Sequence, residues 1–140
     1  MENFRRYNLI LGWGVFLVSL IVYLLTMEPT ASFWDCGEFI ATAYKMEVGH
    51  PPGAPFFMVL GRFFTLFAGG DVTKVAVTMN FLSALASAFT ILFLFWTLTH
   101  LVRKFFNKEE QSGPVAMITI FGAALVGSLA YTFSDSFWFS

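Results

Sequence analysis

The chain has 140 residues, of which 57% are hydrophobic and 12% charged, with 19 phenylalanines and a formal net charge of -1. A water-soluble domain carries about a quarter charged residues, so this composition excludes an ordinary soluble domain and points to lipid. The near-zero net charge gives no reason to expect a nucleic-acid partner.

In chain order, the first element is a charge-free apolar run over residues 9–27. It is long enough to cross a hydrocarbon core, which takes about 20 helical residues. No small-x-small cleavage site precedes the polar segment that follows, so the run reads as a span rather than a removable signal. Residues 28–74 form the longest stretch between apolar runs. Within it, residues 32–45 are expected to be a short helix, with Ser32 as N-cap and Asp35 three residues later completing a capping-box-like pair. Gly49, Pro51 and Pro52 end that helix.

Pro55 then opens an apolar, Phe-rich run over residues 55–68 with Arg62 at its middle. At about 1.5 Å per residue this run reaches about 21 Å, short of a full crossing, and it is expected to lie in the interface as an amphipathic helix. Residues 75–102 and 115–133 supply two further spans, joined by a polar turn over 107–113. The chain stops inside aromatic sequence, Phe137-Trp138-Phe139-Ser140, which suggests a fragment of a larger membrane protein. Cys36 is the only cysteine, so no internal disulfide is possible and the redox compartment stays open.

Charge placement sets an expected topology. With three spans, Arg5 and Arg6 share the cytoplasmic side with Arg103, Lys104 and Lys108, as the positive-inside rule prefers. A fourth span over 55–68 would push the last three outside. The three-span reading puts the N-terminus in the cytoplasm of a multi-pass inner (plasma) membrane protein. It places the 28–74 loop on the periplasmic or extracellular side, with Asp135 on the same face as Asp35.

Candidate chemistry collects in that loop. Asp35 and Glu38 are three apart and share a helix face. Two close carboxylates repel, which raises one pKa and suits a base or a cation-binding role. The same spacing also suits a helix cap with Glu38 in water, and on spacing alone the cap is the simpler reading. Trp34 and Phe39 flank the acids and draw this helix toward the membrane surface. His50, held extended ahead of two prolines, titrates near neutral pH and can bind a phosphate or position a substrate, or it is a polar loop residue before a rigid turn. Arg62 either snorkels to headgroups or meets the phosphate of a lipid-linked substrate. Asp135 either caps a following helix or adds a second acid to the active face. Asn80 and His100, within the second run, read as interhelical hydrogen-bonding residues. No metal site is expected, since there is no His-x-x-x-His motif or cysteine pair.

The order of these pieces resembles the N-terminal part of GT-C-type glycosyltransferases such as the protein O-mannosyltransferases. Those enzymes have a first span, an outer loop with an acidic motif, a His-Pro-Pro turn, an amphipathic helix and a second span. The matching pieces are Asp35 with Glu38, His50-Pro51-Pro52-Gly53, the 55–68 run, and Phe81-Leu82-Ser83-Ala84-Leu85. A closer resemblance is to a bacterial membrane family, common in Bacteroidetes, related to the eukaryotic transmembrane O-mannosyltransferase that acts on plexin-type receptors. Its hallmark is similar to Pro29-Thr30-Ala31-Ser32-Phe33-Trp34-Asp35-Cys36-Gly37-Glu38-Phe39 followed by Gly49-His50-Pro51-Pro52-Gly53-Ala54-Pro55.

The resemblance implies an all-α, multi-span helical bundle that moves a sugar from a polyprenyl-phosphate carrier to a Ser or Thr hydroxyl of an acceptor protein. It implies Asp35 as general base, with Glu38 and His50 shaping the acceptor or donor-phosphate site and Arg62 offsetting phosphate charge; Asp135 joins them as a candidate substrate-binding residue from its place on the same face. No cofactor is implied beyond the lipid-linked sugar. The partners are membrane lipid, donor, acceptor protein and the rest of the chain. The Asp-Glu doublet of the mannosyltransferases is here spread over Asp35-Cys36-Gly37-Glu38, so the role of Glu38 does not carry over directly. An alternative is a transporter or channel fragment with Asp35 and Glu38 as an external cation site. Such a protein should bury ionisable groups within its spans, and these three runs hold no Asp, Glu, Lys or Arg.

Overall fold

The computed structural model describes residues 2–32, 34–51, 53–107, 111 and 113–134. Among them there is no strand, and five α-helices carry the architecture: α1 (Glu2–Thr26), α2 (Cys36–Lys45), α3 (Pro55–Thr65), α4 (Val75–Arg103) and α5 (Pro114–Thr132). Short 3-10 turns at Leu66–Ala68 and Val72–Lys74 join α3 to α4. Three helices are long and apolar enough to cross a membrane, namely Glu2–Thr26, Val72–Arg103 and Pro114–Thr132. The chain is therefore an all-α protein with three candidate membrane spans. At about 1.5 Å per residue, the 11 residues of α3 cover about 16 Å and do not cross a hydrocarbon core unaided.

The fold divides into two compact units, residues Met1–Tyr23 with Ala86–Ser140, and Leu24–Leu85. The first is a packing of spans. The buried positions of α1, namely Gly12, Val15, Phe16, Ser19 and Tyr23, recur every three or four residues and so fall on one stripe. Ile91, Leu92 and Phe95 of α4 and Ile120 and Ala124 of α5 are buried in the same unit. Lipid supplies no hydrophobic drive between spans, so small residues and interhelical hydrogen bonds hold them together. Both occur here. A Cβ on Gly127 would lie 2.8 Å from Leu98, and one on Gly12 would collide with the indole of Trp96. The hydroxyls of Ser19 and Thr132 are 3.2 Å apart, and the Tyr23 hydroxyl donates to the Thr132 carbonyl at 3.2 Å.

The second unit carries the inter-span connection. Its core is Ala43, Met58 and Met79, from α2, α3 and α4, with Phe39, Ile40 and Phe57 packed against it. Gly61 lets α3 close on this core: an added Cβ would meet Met79 at 2.8 Å and Ala43 at 3.0 Å. The remaining face of α3 and of the 3-10 turn after it is bare. Phe56, Val59, Phe63, Leu66 and Phe67 are all more than half exposed, a stripe suited to an apolar surrounding rather than to water.

The helix expected from Ser32 begins instead at Cys36. Trp34 sits at φ 63°, a left-handed backbone that a bulky L-residue adopts rarely, and this breaks the helix before Asp35. Asp35 takes the N-cap position, yet its side chain makes no capping hydrogen bond. The capping-box reading of Ser32 and Asp35 is thereby corrected. At the other end Met46, at φ 58°, returns the chain with amide bonds from Met46 to Ala43 (3.4 Å) and from Glu47 to Thr42 (2.9 Å), both onto carbonyls of the last turn.

Candidate functional site

The loop that leaves α2 turns back along its own helix. Gly53 N–H donates to the His50 carbonyl at 2.9 Å, closing a turn. That turn delivers His50 to the N-terminal end of α2. The Glu38 carboxylate then accepts two hydrogen bonds from one residue: the His50 backbone N–H at 2.7 Å and Nδ1 at 2.8 Å. Gly49 makes room for this clamp, since a Cβ there would lie 3.2 Å from Glu38 Oε1. On its other side, His50 Nε2 lies 3.8 Å from Asp35 Oδ2. Phe39 packs its ring against the imidazole at 6.2 Å and against Phe57 at 5.7 Å, tying the site to the α2–α3 core.

The electrostatics follow from this geometry. The His50 amide and ring together hold the Glu38 carboxyl below its ordinary value, with the backbone hydrogen bond the larger cause. The Glu38 hydrogen bond, then its charge and that of Asp35, raise His50 above its ordinary value. A carboxylate only accepts, so Nδ1 carries the proton in that contact and Nε2 is the ring atom that faces Asp35. Asp35 is left with an exposed side chain (63%) that caps nothing. Such a group can take a proton from a bound hydroxyl.

Asp35, Glu38 and His50 each offer one oxygen or nitrogen of metal-ligand type, all within 4.8 Å of one another. All three are exposed, and Glu38 already engages the imidazole. This is a hydrogen-bonded carboxylate–imidazole cluster, and it carries no metal assignment.

The other candidates are placed differently. Arg62 does not join the cluster. It donates from Nη1 to the Tyr44 carbonyl at 2.6 Å and lies over the Tyr44 ring at 5.4 Å. Tyr44 is six residues beyond Glu38, about 9 Å along the helix, so Arg62 secures the opposite end of α2. Asp135 lies outside the described residues. Asn80 does not bridge two helices as expected; its Nδ2 donates to the carbonyls of Glu28 (2.7 Å) and Thr30 (3.0 Å), tying the linker before the acidic motif to the first turns of α4. Gly49 and Asn80 were not singled out from sequence as shaping the site. A glycine between Glu38 and a His-Pro-Pro turn was the available signal for the first, and an amide near the start of an apolar span for the second.

The fold and cluster define a class: a membrane-spanning helical protein with an exposed carboxylate–imidazole site in its longest inter-span connection. The family described as the protein O-mannosyl-transferase TMEM260 N-terminal domain matches residues 35–140, and the chain belongs to it. Among relatives, it is 32% identical over 83 residues to "Protein O-mannosyl-transferase tmem260" of Dictyostelium discoideum, covering 59% of this chain and 10% of that protein. It is 36% identical over 89 residues to "Protein O-mannosyl-transferase TMEM260" of Mus musculus, covering 63% of this chain and 12% of that protein. The chain thus spans about a tenth of the length of these relatives. No solved structure matches it.

Proposed function

We propose that the chain is the N-terminal, catalytic-loop-bearing part of a GT-C-type membrane glycosyltransferase. The whole enzyme moves mannose from a polyprenyl-phosphate carrier to a Ser or Thr hydroxyl of a protein, on the outer side of the membrane. The observation that carries this reading is the uncapped, exposed Asp35 carboxylate beside the Glu38–His50 pair, in a chain whose relatives are named protein O-mannosyl-transferases.

In this mechanism Asp35 takes the proton of the acceptor hydroxyl as its oxygen bonds to the anomeric carbon. The bond from that carbon to the carrier phosphate breaks, and its electron pair stays on the phosphate oxygen. The base stands at the N-cap of a short helix rather than in mid-loop, which suits proximity catalysis. The bare apolar stripe of α3 keeps the site at the membrane surface, where a lipid-linked donor is reached. The basic residues Arg5, Arg6, Arg103 and Lys104 support an orientation with the 28–74 connection outside.

The test is Asp35→Asn in the full-length protein, followed by mass spectrometry of O-linked mannose on secreted proteins. A general base contributes about 10²- to 10⁴-fold, so transfer should fall by at least about a hundredfold at normal expression. Unchanged glycosylation would remove Asp35 from the base role.

A further inference from the structure

We propose that the acceptor hydroxyl sits in the gap between Asp35 Oδ2 and His50 Nε2, and that Glu38 is a positioning residue which fixes the imidazole across that gap. This deepens the glycosyltransferase reading and rests on it. At 3.8 Å the two atoms are too far apart for a direct hydrogen bond. A single oxygen nevertheless fits at about 2.8 Å from both, the ordinary distance for such bonds. With the imidazole protonated on both nitrogens, Nδ1–H held by Glu38 and Nε2–H toward the gap, the hydroxyl donates its hydrogen to Asp35 Oδ2 and accepts from Nε2–H, leaving its second lone pair for the anomeric carbon.

The spacing also decides which substrate His50 serves. Groups working on opposite sides of a sugar ring stand about 5 Å or more apart, because the ring lies between them. His50 is closer to the base than that, so it belongs to the acceptor side and not to the departing phosphate. Glu38 reaches no substrate in this arrangement. Both of its oxygens are spent on His50, one on the backbone amide and one on Nδ1. Its two-point hold selects the ring face and leaves Nε2 toward Asp35. The Phe39 ring limits the imidazole from the side.

The proposal separates the kinetic constants of the two substrates. In the full-length enzyme, with a Ser/Thr acceptor peptide and polyprenyl-phosphate mannose, His50→Ala should raise the acceptor KM about tenfold or more and leave the donor KM unchanged. Glu38→Gln should move the same constant in the same direction. Because Glu38 acts through His50, the double variant should be no worse than His50→Ala alone. A raised donor KM with an unchanged acceptor KM would overturn the proposal, as would additive effects in the double variant. Should His50→Ala fail to accumulate in the membrane, Glu38→Gln, which keeps the side-chain volume, carries the same KM comparison. An inactive Asp35→Asn together with a donor-only effect at His50 refutes this inference and leaves the base assignment standing. An active Asp35→Asn refutes both.

Discussion

Replacing Arg62 with Met separates two roles for this cation. The guanidinium donates to the Tyr44 carbonyl in the last turn of α2 and covers its ring. A hydrogen bond from a charged donor contributes about 1.5–3 kcal/mol, and a cation over an aromatic ring about 0.5–1 kcal/mol at exposed sites. Arg62 is only half-buried, so the lower ends apply, and the variant should weaken the end of α2 by about 2 kcal/mol. Met keeps an apolar stem of similar length, so the change isolates the charge.

Amide hydrogen exchange in the full-length protein reads this locally. The amides of Met46 and Glu47, which close the C-terminus of α2, should exchange about thirtyfold faster, while those in the middle of α4 stay unchanged. The donor KM of the folded enzyme should not move. Unchanged protection at Met46 and Glu47 together with a raised donor KM would show that Arg62 meets the donor phosphate and that its contact with Tyr44 is incidental.

Three further outcomes are expected. The Glu38–His50 clamp should depend on pH. His50 is raised from 6.5, so its contribution is complete below 6.5 and is lost as pH climbs through the raised value. Glu38 is lowered from 4.5, so its contribution is complete above 4.5 and is lost as pH falls through the lowered value. The 47–54 loop should therefore resist limited proteolysis best between about pH 4.5 and 6.5; flat resistance across this range and up to pH 9 contradicts the clamp. Gly61→Ala should cost about 1 kcal/mol, because overpacking against Met79 and Ala43 outweighs the helix-propensity gain of alanine; a stabilised variant in a denaturant titration refutes the close packing. In a Cys36→Ser background, a cysteine at Thr73 should react with a membrane-impermeant maleimide from outside the cell and one at Asn107 should not; the reverse pattern inverts the topology.

The parts legible in the sequence were those written in local composition. The three long helices follow from charge-free runs of spanning length, and α3 from Pro55 followed by a Phe-rich stretch. The start of α2 was misread because Ser32 with Asp35 fits a capping box, whereas the chain breaks at Trp34, a residue whose preferences give no hint of a positive φ. Asp35 and Glu38 could be placed on one helix from their spacing. Their company with His50 could not, since it depends on a loop that folds back over 12 residues and on the room left by Gly49. Arg62 shows the same limit from the other side: its charge in an apolar helix suggested headgroups or phosphate, and its nearest acceptor is a backbone carbonyl 18 residues earlier.

The Asn80 tie also bears on when the site can exist during synthesis. Its two acceptors, the carbonyls of Glu28 and Thr30, emerge 52 and 50 residues before the amide that holds them. Until the beginning of α4 has been made, the segment leading to Asp35 has no such anchor. The connection between the first two spans therefore has to wait in an unfinished state through the synthesis of about fifty residues, and the second span completes it on arrival.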